Sequence, residues 1–335
     1  MNLRILVTGA TGFLGYRILE KLVETESIIS ITAAGRTLKP FHTVIHPKVN
    51  YVLGNLEDEE YALSLVKETD LIINAAALSS PWGKETDFIK ANVLTQKNLI
   101  KASIKYNIKK FIYISTPGVY FNSRDRLLIK ESDPLPSKFI NAYAKTKRQA
   151  EILLENSNIP YIILRPRALI GRGDTVIMPR LIRAYDEGKL KIIGNGKNRV
   201  DLTSVANVVK AVMLSIQADQ NAVNQTYNIS NGEPVALWEC IEYVLTLLGK
   251  GMPRNRIPYS IAIVVAQLME LKSKLKDFKE PPLTKYGIGT LAKSFTMDIT
   301  KAKELLNYKP EVTTKQAIEE FAKWYMKDEG SKTVS

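Results

Sequence analysis

Cysteine and histidine are nearly missing from this chain, which has one of the first and two of the second in 335 residues. Cys240 lies in the apolar run ALWECIEYVLTLL, where a small core side chain is expected and no disulfide framework can form. His42 and His46, both in FHTVIHP, have the four-residue spacing of metal ligands on a helix. The stretch is β-branched, ends at Pro47 and lacks a glutamate between the histidines, so a connecting strand or loop is expected, with no metal site. So few histidines leave no persuasive Ser-His-Asp arrangement. Long apolar runs are absent too, and none reaches the length of a membrane span. The start, MNLRILVTGATG, has no long apolar stretch followed by a small-residue cleavage site, so no signal peptide is read. A reducing, cytoplasmic compartment is expected. The net charge of +13 comes from scattered lysines and arginines, which reads as a basic solvated surface, not as a nucleic-acid interface.

With 45% hydrophobic residues the chain can bury a large core. Short β-branched runs alternate with helical stretches: LRILVT, a helix over 12–25, IISITAA, VNYVL, DLIINAA, a helix over 84–106, KKFIYIS, a helix over 141–155, and PYIILRP. This βαβ series predicts an α/β fold with a parallel sheet covered on both faces. Beyond Pro166 the pattern is irregular, with strand-like LKIIG and QTYNIS and helices near 234–248, 258–276 and 313–327. No internal repeat appears.

The first strand runs directly into TGATGFLG. Gly9, Gly12 and Gly15 stand where a chain must turn, approach a pyrophosphate and let the following helix pack. With Thr11, Phe13 and Leu14 between them they form a dinucleotide loop at a helix N-terminus. The fold is therefore expected to be a Rossmann-type doubly wound sheet over residues 1–168, able to recruit later strands. A smaller C-terminal α/β substrate-binding region (169–330) and a tail (331–335) complete the expected organisation. At the end of the second strand a carboxylate would select NAD, yet no Asp or Glu occurs between Ile28 and Phe41. Arg36 offers a fork of donors for a 2′-phosphate, which favours NADP(H) over NAD(H).

In AYAKTKRQAE, Tyr143 and Lys147 share a helix face, and the strand end ISTPGVY offers the hydroxyls of Ser115 and Thr116 at the ligand-binding edge. Lowering a phenol from a pKa of about 10 to about 7 requires roughly 4 kcal/mol. One ammonium about 6 Å away, at an effective dielectric of about 20, supplies roughly 2.8 kcal/mol. Lysine alone falls short, and the positive ring of an oxidised nicotinamide could provide the rest. Tyr143 is then the expected proton donor to a carbonyl oxygen, with Thr116 hydrogen-bonding the same atom.

TGATGFLG, ANVLTQKNL, ISTPGVY, YAKTK and LRPRALIG, in this order, resemble the extended short-chain dehydrogenase/reductase family over nearly the whole chain. The resemblance assigns catalysis to Thr116, Tyr143 and Lys147, adenine contact to Asn55 and Leu56, and cofactor lining to Asn74, Ala75, Ala76 and Ala77. It also implies that Asn92 orders the site, that Pro166, Arg167 and Ala168 approach the nicotinamide, and that helices near 90–106 and 141–156 build a homodimer. Asn55 and Thr95 depart from the family's usual Asp and Gly. Nucleotide-sugar epimerases of the family carry Arg before Asp in the segment matching NRVDLTSVANV, where this chain has Val200 before Asp201. Arg199, though noted as a candidate substrate contact, should point to the opposite face. ALSSPWG, RPRALIGRGD and the C-terminal motifs instead resemble the branch of 3β-hydroxysteroid dehydrogenases and 2-alkyl-3-oxo acid reductases. This implies a small hydrophobic 3-oxo or 3-hydroxy substrate bordered by Ser79 and Trp82. The alternatives are a nucleotide-sugar epimerase and a non-catalytic NADP-sensing or RNA-binding relative. YSIAIVVAQLMEL followed by LKSKLKDFK, within residues 259–279, could wall a greasy pocket or make peripheral contact with an anionic membrane.

Overall fold

The computed structural model describes residues 2–327; the proposed tail, 331–335, lies outside them. Its first half alternates strands and helices: β1 (Leu3–Thr8), α1 (Phe13–Val23), β2 (Ile28–Gly35), β3 (Val49–Leu53), α2 (Glu59–Val66) and β4 (Leu71–Asn74). There follow α3 (Glu85–Phe88), a π-turn (Ile89–Leu94), α4 (Thr95–Lys105), β5 (Lys110–Ile114), β6 (Arg126–Ile129), α5 (Ala142–Glu155) and β7 (Tyr161–Pro166). Beyond Pro166 come β8 (Leu169–Ile170), α6 (Ile177–Asp186), β9 (Ile192–Ile193), β10 (Arg199–Val200), β11 (Thr203–Ser204), α7 (Val205–Gln217) and β12 (Gln225–Ile229). The chain continues through β13 (Val235–Ala236), α8 (Leu237–Leu247), β14 (Arg256–Ile257), α9 (Tyr259–Leu275), α10 (Lys285–Ala292), β15 (Phe295–Met297), α11 (Thr300–Leu305) and α12 (Thr314–Met326).

Seven strands form a parallel sheet in the order β12-β7-β5-β4-β1-β2-β3. The doubly wound Rossmann architecture read from the βαβ series is present. Its central strands are apolar throughout, as a sheet covered on both faces requires: β4 is buried at all four positions. Ile18 and Leu22 of α1 pack with Val208 and Val212 of α7 on one face. Leu63 of α2, Leu99 of α4 and Leu154 of α5 pack on the other. The sheet takes its outermost strand, β12, from QTYNIS, far beyond Pro166.

Several elements differ from the sequence reading, which anticipated none of α2, α6, α7, α10 and α11. Helix α2 was not anticipated, although Asp58 caps it by accepting from the amides of Glu60 and Tyr61. The single helix expected over 84–106 is broken by the π-turn, which widens one turn and re-aims the side chains around Asn92. A four-stranded sheet (β13-β10-β15-β6) and the pairs β8–β11 and β9–β14 connect the remaining helices into a second layer over the carboxyl edge of the main sheet. A separate core there gathers Ile182, Trp238, Ile241, Val244 and Phe321.

Candidate active site

A cleft of about 1990 Å³ runs from the glycine loop, along the carboxyl ends of β1, β4, β5 and β7, and on between α6, α8, α9 and α10. It opens at the point where strand order reverses between β1 and β4, the expected ligand position in such sheets.

At its first end the glycines are required by geometry. Gly9 has φ +68°, and a Cβ there would come within 2.8 Å of the Ala75 carbonyl; one on Gly15 would lie 2.1 Å from the Gly9 oxygen. Gly12 begins α1 with no side-chain cap, and no acidic residue lies in the helix's first turn, so its free amides face the cleft unopposed by negative charge. The groove therefore fits a dinucleotide pyrophosphate. Thr11, Phe13 and Leu14 line it, as do Arg36 at the end of β2 and Asn55, Leu56, Ala75, Ala76 and Ala77. Arg36 is exposed. Asn55 closes its own turn by accepting from the Glu57 amide at 3.1 Å, while Asn98 donates to the Leu56 and Glu57 carbonyls at 3.0 Å and holds that loop against α4.

Asn92 does not line the cleft. It is buried, accepts from the Leu78 amide at 2.8 Å and donates to the Thr146 hydroxyl at 3.1 Å, tying the loop after β4 to α5. Thr95 lines the cleft and donates to the Ala91 carbonyl at 2.7 Å, so a hydroxyl is accommodated at this position within the π-turn's own bonding.

Farther in, Thr116 and Tyr143 share a hydrogen bond, and the Thr116 oxygen also accepts from the Gly118 amide at 3.1 Å. Asn141 caps α5 through the Ala144 amide, fixing the helix start that carries Tyr143. Lys147, one turn on, is 1% exposed; its ammonium donates to the Ile114 carbonyl at 2.6 Å and lies 4.0 Å from the centre of the Tyr113 ring. Burial pulls the Lys147 amine down to about 7, against the opposing charge of Glu151. Burial also holds the Tyr143 phenol above its ordinary value, despite the Thr116 hydrogen bond. The expected lowering by Lys147 is not seen in the protein alone: desolvation and Tyr286 raise the phenol, and only the Thr116 hydrogen bond opposes them. Ser115 reaches the cleft edge, but its hydroxyl donates to Glu151 at 2.5 Å and so faces the helix.

Sequence reasoning missed what stands behind this triad. Glu151 is fully buried, receives Arg165 at 2.8 and 2.6 Å and also bonds Arg148 at 2.9 Å. Arg165 in turn meets the Tyr120 hydroxyl. A charged residue inside the apolar strand YIILRP and a glutamate four residues after Lys147 were the available signals. Tyr286 of α10, whose charge would oppose ionisation of Tyr143, and Arg167 also line the cleft.

Ser79, Pro166 and Ala168 are on the cleft wall as expected. Trp82 and Arg199 are not. The Trp82 indole donates to the Ser273 hydroxyl at 2.9 Å and stacks near Phe278, clamping the end of α9 outside the cleft. Arg199 is exposed and donates to the Pro234 carbonyl at 2.5 Å, while Val200 is buried and faces the cleft, as strand alternation dictates. His42 is buried with its Nε2 3.1 Å from the Gly173 carbonyl and its ring stacked on Tyr16. Among the described residues no three His, Cys, Asp or Glu side chains are grouped to hold a metal.

The second end of the cleft has an apolar wall of Leu181, Ile193, Leu237, Ile241, Ala262 and Ile288, and charged Arg180, Glu187, Lys189, Lys191 and Glu280 line it as well.

A nucleotide cradle leading to a tyrosine, threonine and lysine beneath an apolar chamber defines a nicotinamide-dependent enzyme on a Rossmann sheet. The chain belongs to the NAD dependent epimerase/dehydratase family, whose model matches residues 5–230. It is 31% identical to the 3beta-hydroxysteroid-dehydrogenase/decarboxylase isoform 1 of Arabidopsis thaliana, over 93% of this chain and 77% of that protein. It is 29% identical to the 2-alkyl-3-oxoalkanoate reductase of Shewanella oneidensis, over 93% of this chain and 84% of that one. In fold it resembles UDP-glucuronic acid 4-epimerase from Bacillus cereus, solved in complex with NAD, with a TM-score of 0.75 and 22% identity over 97% of this chain and 99% of that one.

Proposed function

We propose that the protein is an NADP-preferring oxidoreductase that interconverts a secondary alcohol and a ketone on a hydrophobic 3-hydroxy or 3-oxo substrate. The observation that carries this reading is the Thr116–Tyr143 hydroxyl pair at the junction between a dinucleotide cradle and an apolar chamber. A bound nicotinamide would supply or accept hydride at its C4. Tyr143 would give its proton to the carbonyl oxygen or take it back, Thr116 would hold that oxygen, and Lys147 would supply positive charge beside them. Burial keeps the phenol protonated until a cofactor and substrate arrive. Arg36, exposed at the end of a strand without a carboxylate, supports the 2′-phosphate preference.

Both named relatives act on 3-hydroxy or 3-oxo compounds, which supports the substrate class. A nucleotide-sugar substrate is disfavoured because the position before Asp201 is Val200, an apolar residue that faces the cleft, while Arg199 beside it lies outside. Oxidation of NADPH should be followed with sterol ketones, 2-alkyl-3-oxo acids and nucleotide sugars. Turnover in either of the first two groups is expected, and turnover of nucleotide sugars alone would overturn the assignment.

The same reading includes two surfaces. Exposed Ile104 on α4 and Ile152 on α5 support a homodimer through these helices. Among the described residues no helix is long and apolar enough to cross a membrane. Helix α9 nevertheless exposes Ile261, Val264, Leu268, Leu271 and Leu275 in one stripe, followed by lysines 272, 274, 276 and 279, which supports peripheral contact of a cytoplasmic protein with an anionic bilayer.

A further inference from the structure

Most cations around the cleft already have partners. Arg180 pairs with Glu280 at 3.2 Å, Lys189 with Glu187 at 2.6 Å, and Lys147 with a backbone carbonyl. Arg167 is different. It follows Pro166 at the carboxyl end of β7 and lines the cleft, yet its Nε is buried without a hydrogen-bond partner. Its guanidinium carbon lies 4.8 Å from the centre of the Phe295 ring. The nearby acid, Asp201, feels its charge, but no salt bridge joins them among the described residues; one Asp201 oxygen accepts from the Met297 amide at 2.7 Å and the other has no partner. Arg167 is half-buried, and a buried N–H left without a hydrogen bond is unfavourable unless something else meets it.

Register tells where that cation sits relative to the reacting groups. Ile114 of β5 pairs with Leu164 of β7, so Thr116 and Pro166 leave the sheet at the same level and Arg167 follows immediately. Neighbouring strands are about 4.8 Å apart. Arg167 therefore leaves the sheet one strand away from Thr116, and its side chain lines the cleft that Thr116 and Tyr143 also line. In a 3-oxo acid the carboxylate is attached to the carbon next to the ketone, with an alkyl body beyond it, and the cleft offers a cation, a hydroxyl pair and an apolar wall for these three features.

Resting on the oxidoreductase reading above, we propose that Arg167 binds the carboxylate of the substrate and makes the enzyme selective for free 3-oxo acids over neutral ketones and esters. The competing role for Arg167 is structural, as a counter-charge to Asp201 and a cover for Phe295, and it gives no preference between acid and ester.

The test compares kcat/KM with NADPH for a 2-alkyl-3-oxo acid and for its methyl ester, which keeps the ketone and the alkyl body. The wild type should prefer the acid. Arg167→Gln should lower the acid-to-ester ratio about 10- to 150-fold, the span of one charge-assisted hydrogen bond, and Arg167→Lys should restore part of it. Decanoate, a carboxylate of similar reach that cannot react, should compete with substrate in the wild type and lose affinity in Arg167→Gln. A wild type that turns over ester as well as acid overturns the proposal without any variant. An unchanged ratio in a folded variant that still binds NADPH does so too, leaving the oxidoreductase assignment intact. Failure of acid, ester and neutral ketones alike overturns both.

Discussion

Lys147 is the side chain in which stability and chemistry conflict most directly. Its ammonium is enclosed, and the folded-state value of about 7 lies below the ordinary lysine value of 10.5. Between those pH values the unfolded chain carries a proton that the folded chain does not, so stability rises with pH across this window and the burial penalty is complete below it. The stability of Lys147→Met relative to the wild type should therefore improve as pH is lowered from 10 to 7, as read by urea unfolding at several pH values. A difference that stays constant with pH would show that the amine keeps its ordinary affinity for protons. The residues proposed for chemistry were legible because chemistry restricts residue type: only glycine fits position 9, and the Tyr143–Lys147 spacing places both on one face. Glu151 was not read out, and Arg167 was placed near the nicotinamide but not as a cation lacking a partner, because nothing local to a strand end or a helix surface reveals whether a charge is buried or paired. Trp82 failed for the reverse reason, since its loop leaves the sheet at the right edge but the side chain turns toward Ser273.

At the scale of elements, the joint between α5 and β7 holds the site. Glu151 on the helix and Arg165 on the strand are both buried and joined by two hydrogen bonds, with Ser115 of the β5 end attached to the same carboxylate. Removing one member strands the other charge inside the protein. Arg165→Met should cost about 3–5 kcal/mol in denaturant unfolding. The double variant Glu151→Met with Arg165→Met should be less destabilised than the sum of the single changes. Simple additivity would mean that the two charges are not coupled. The strands of the first-half parallel sheet and its helices other than α2 were readable because a sheet buried on both faces imposes continuous apolar runs, and the connecting helices impose a period of 3.6. The two-residue strands β8, β10 and β11 were not, because so short a pairing is created by tertiary packing and leaves no periodic signal. The π-turn is similarly invisible, since its sequence remains helical throughout.

The whole molecule combines a charge of +13 with an apolar stripe on α9, whose opposite side contributes Ala262 to the chamber wall. Leu268 and Leu271 are 62% and 52% exposed. Sedimentation with vesicles containing phosphatidylglycerol should carry the protein down, vesicles of phosphatidylcholine alone should carry less, and Leu268→Asp with Leu271→Asp should abolish the effect. Equal sedimentation of this double variant would remove α9 as the contact. Such a surface would place the open end of the chamber near a source of hydrophobic substrate.

The central claim is that the Tyr143 hydroxyl moves the proton, and it is tested most directly by Tyr143→Phe. NADPH binding, followed by fluorescence, should be retained, because the cradle of Gly9, Gly12 and Gly15 is untouched. The rate of ketone-dependent NADPH oxidation should fall about 10²- to 10⁴-fold, the range supplied by a positioned general acid. A variant that binds the cofactor and reduces the ketone at the wild-type rate would contradict it.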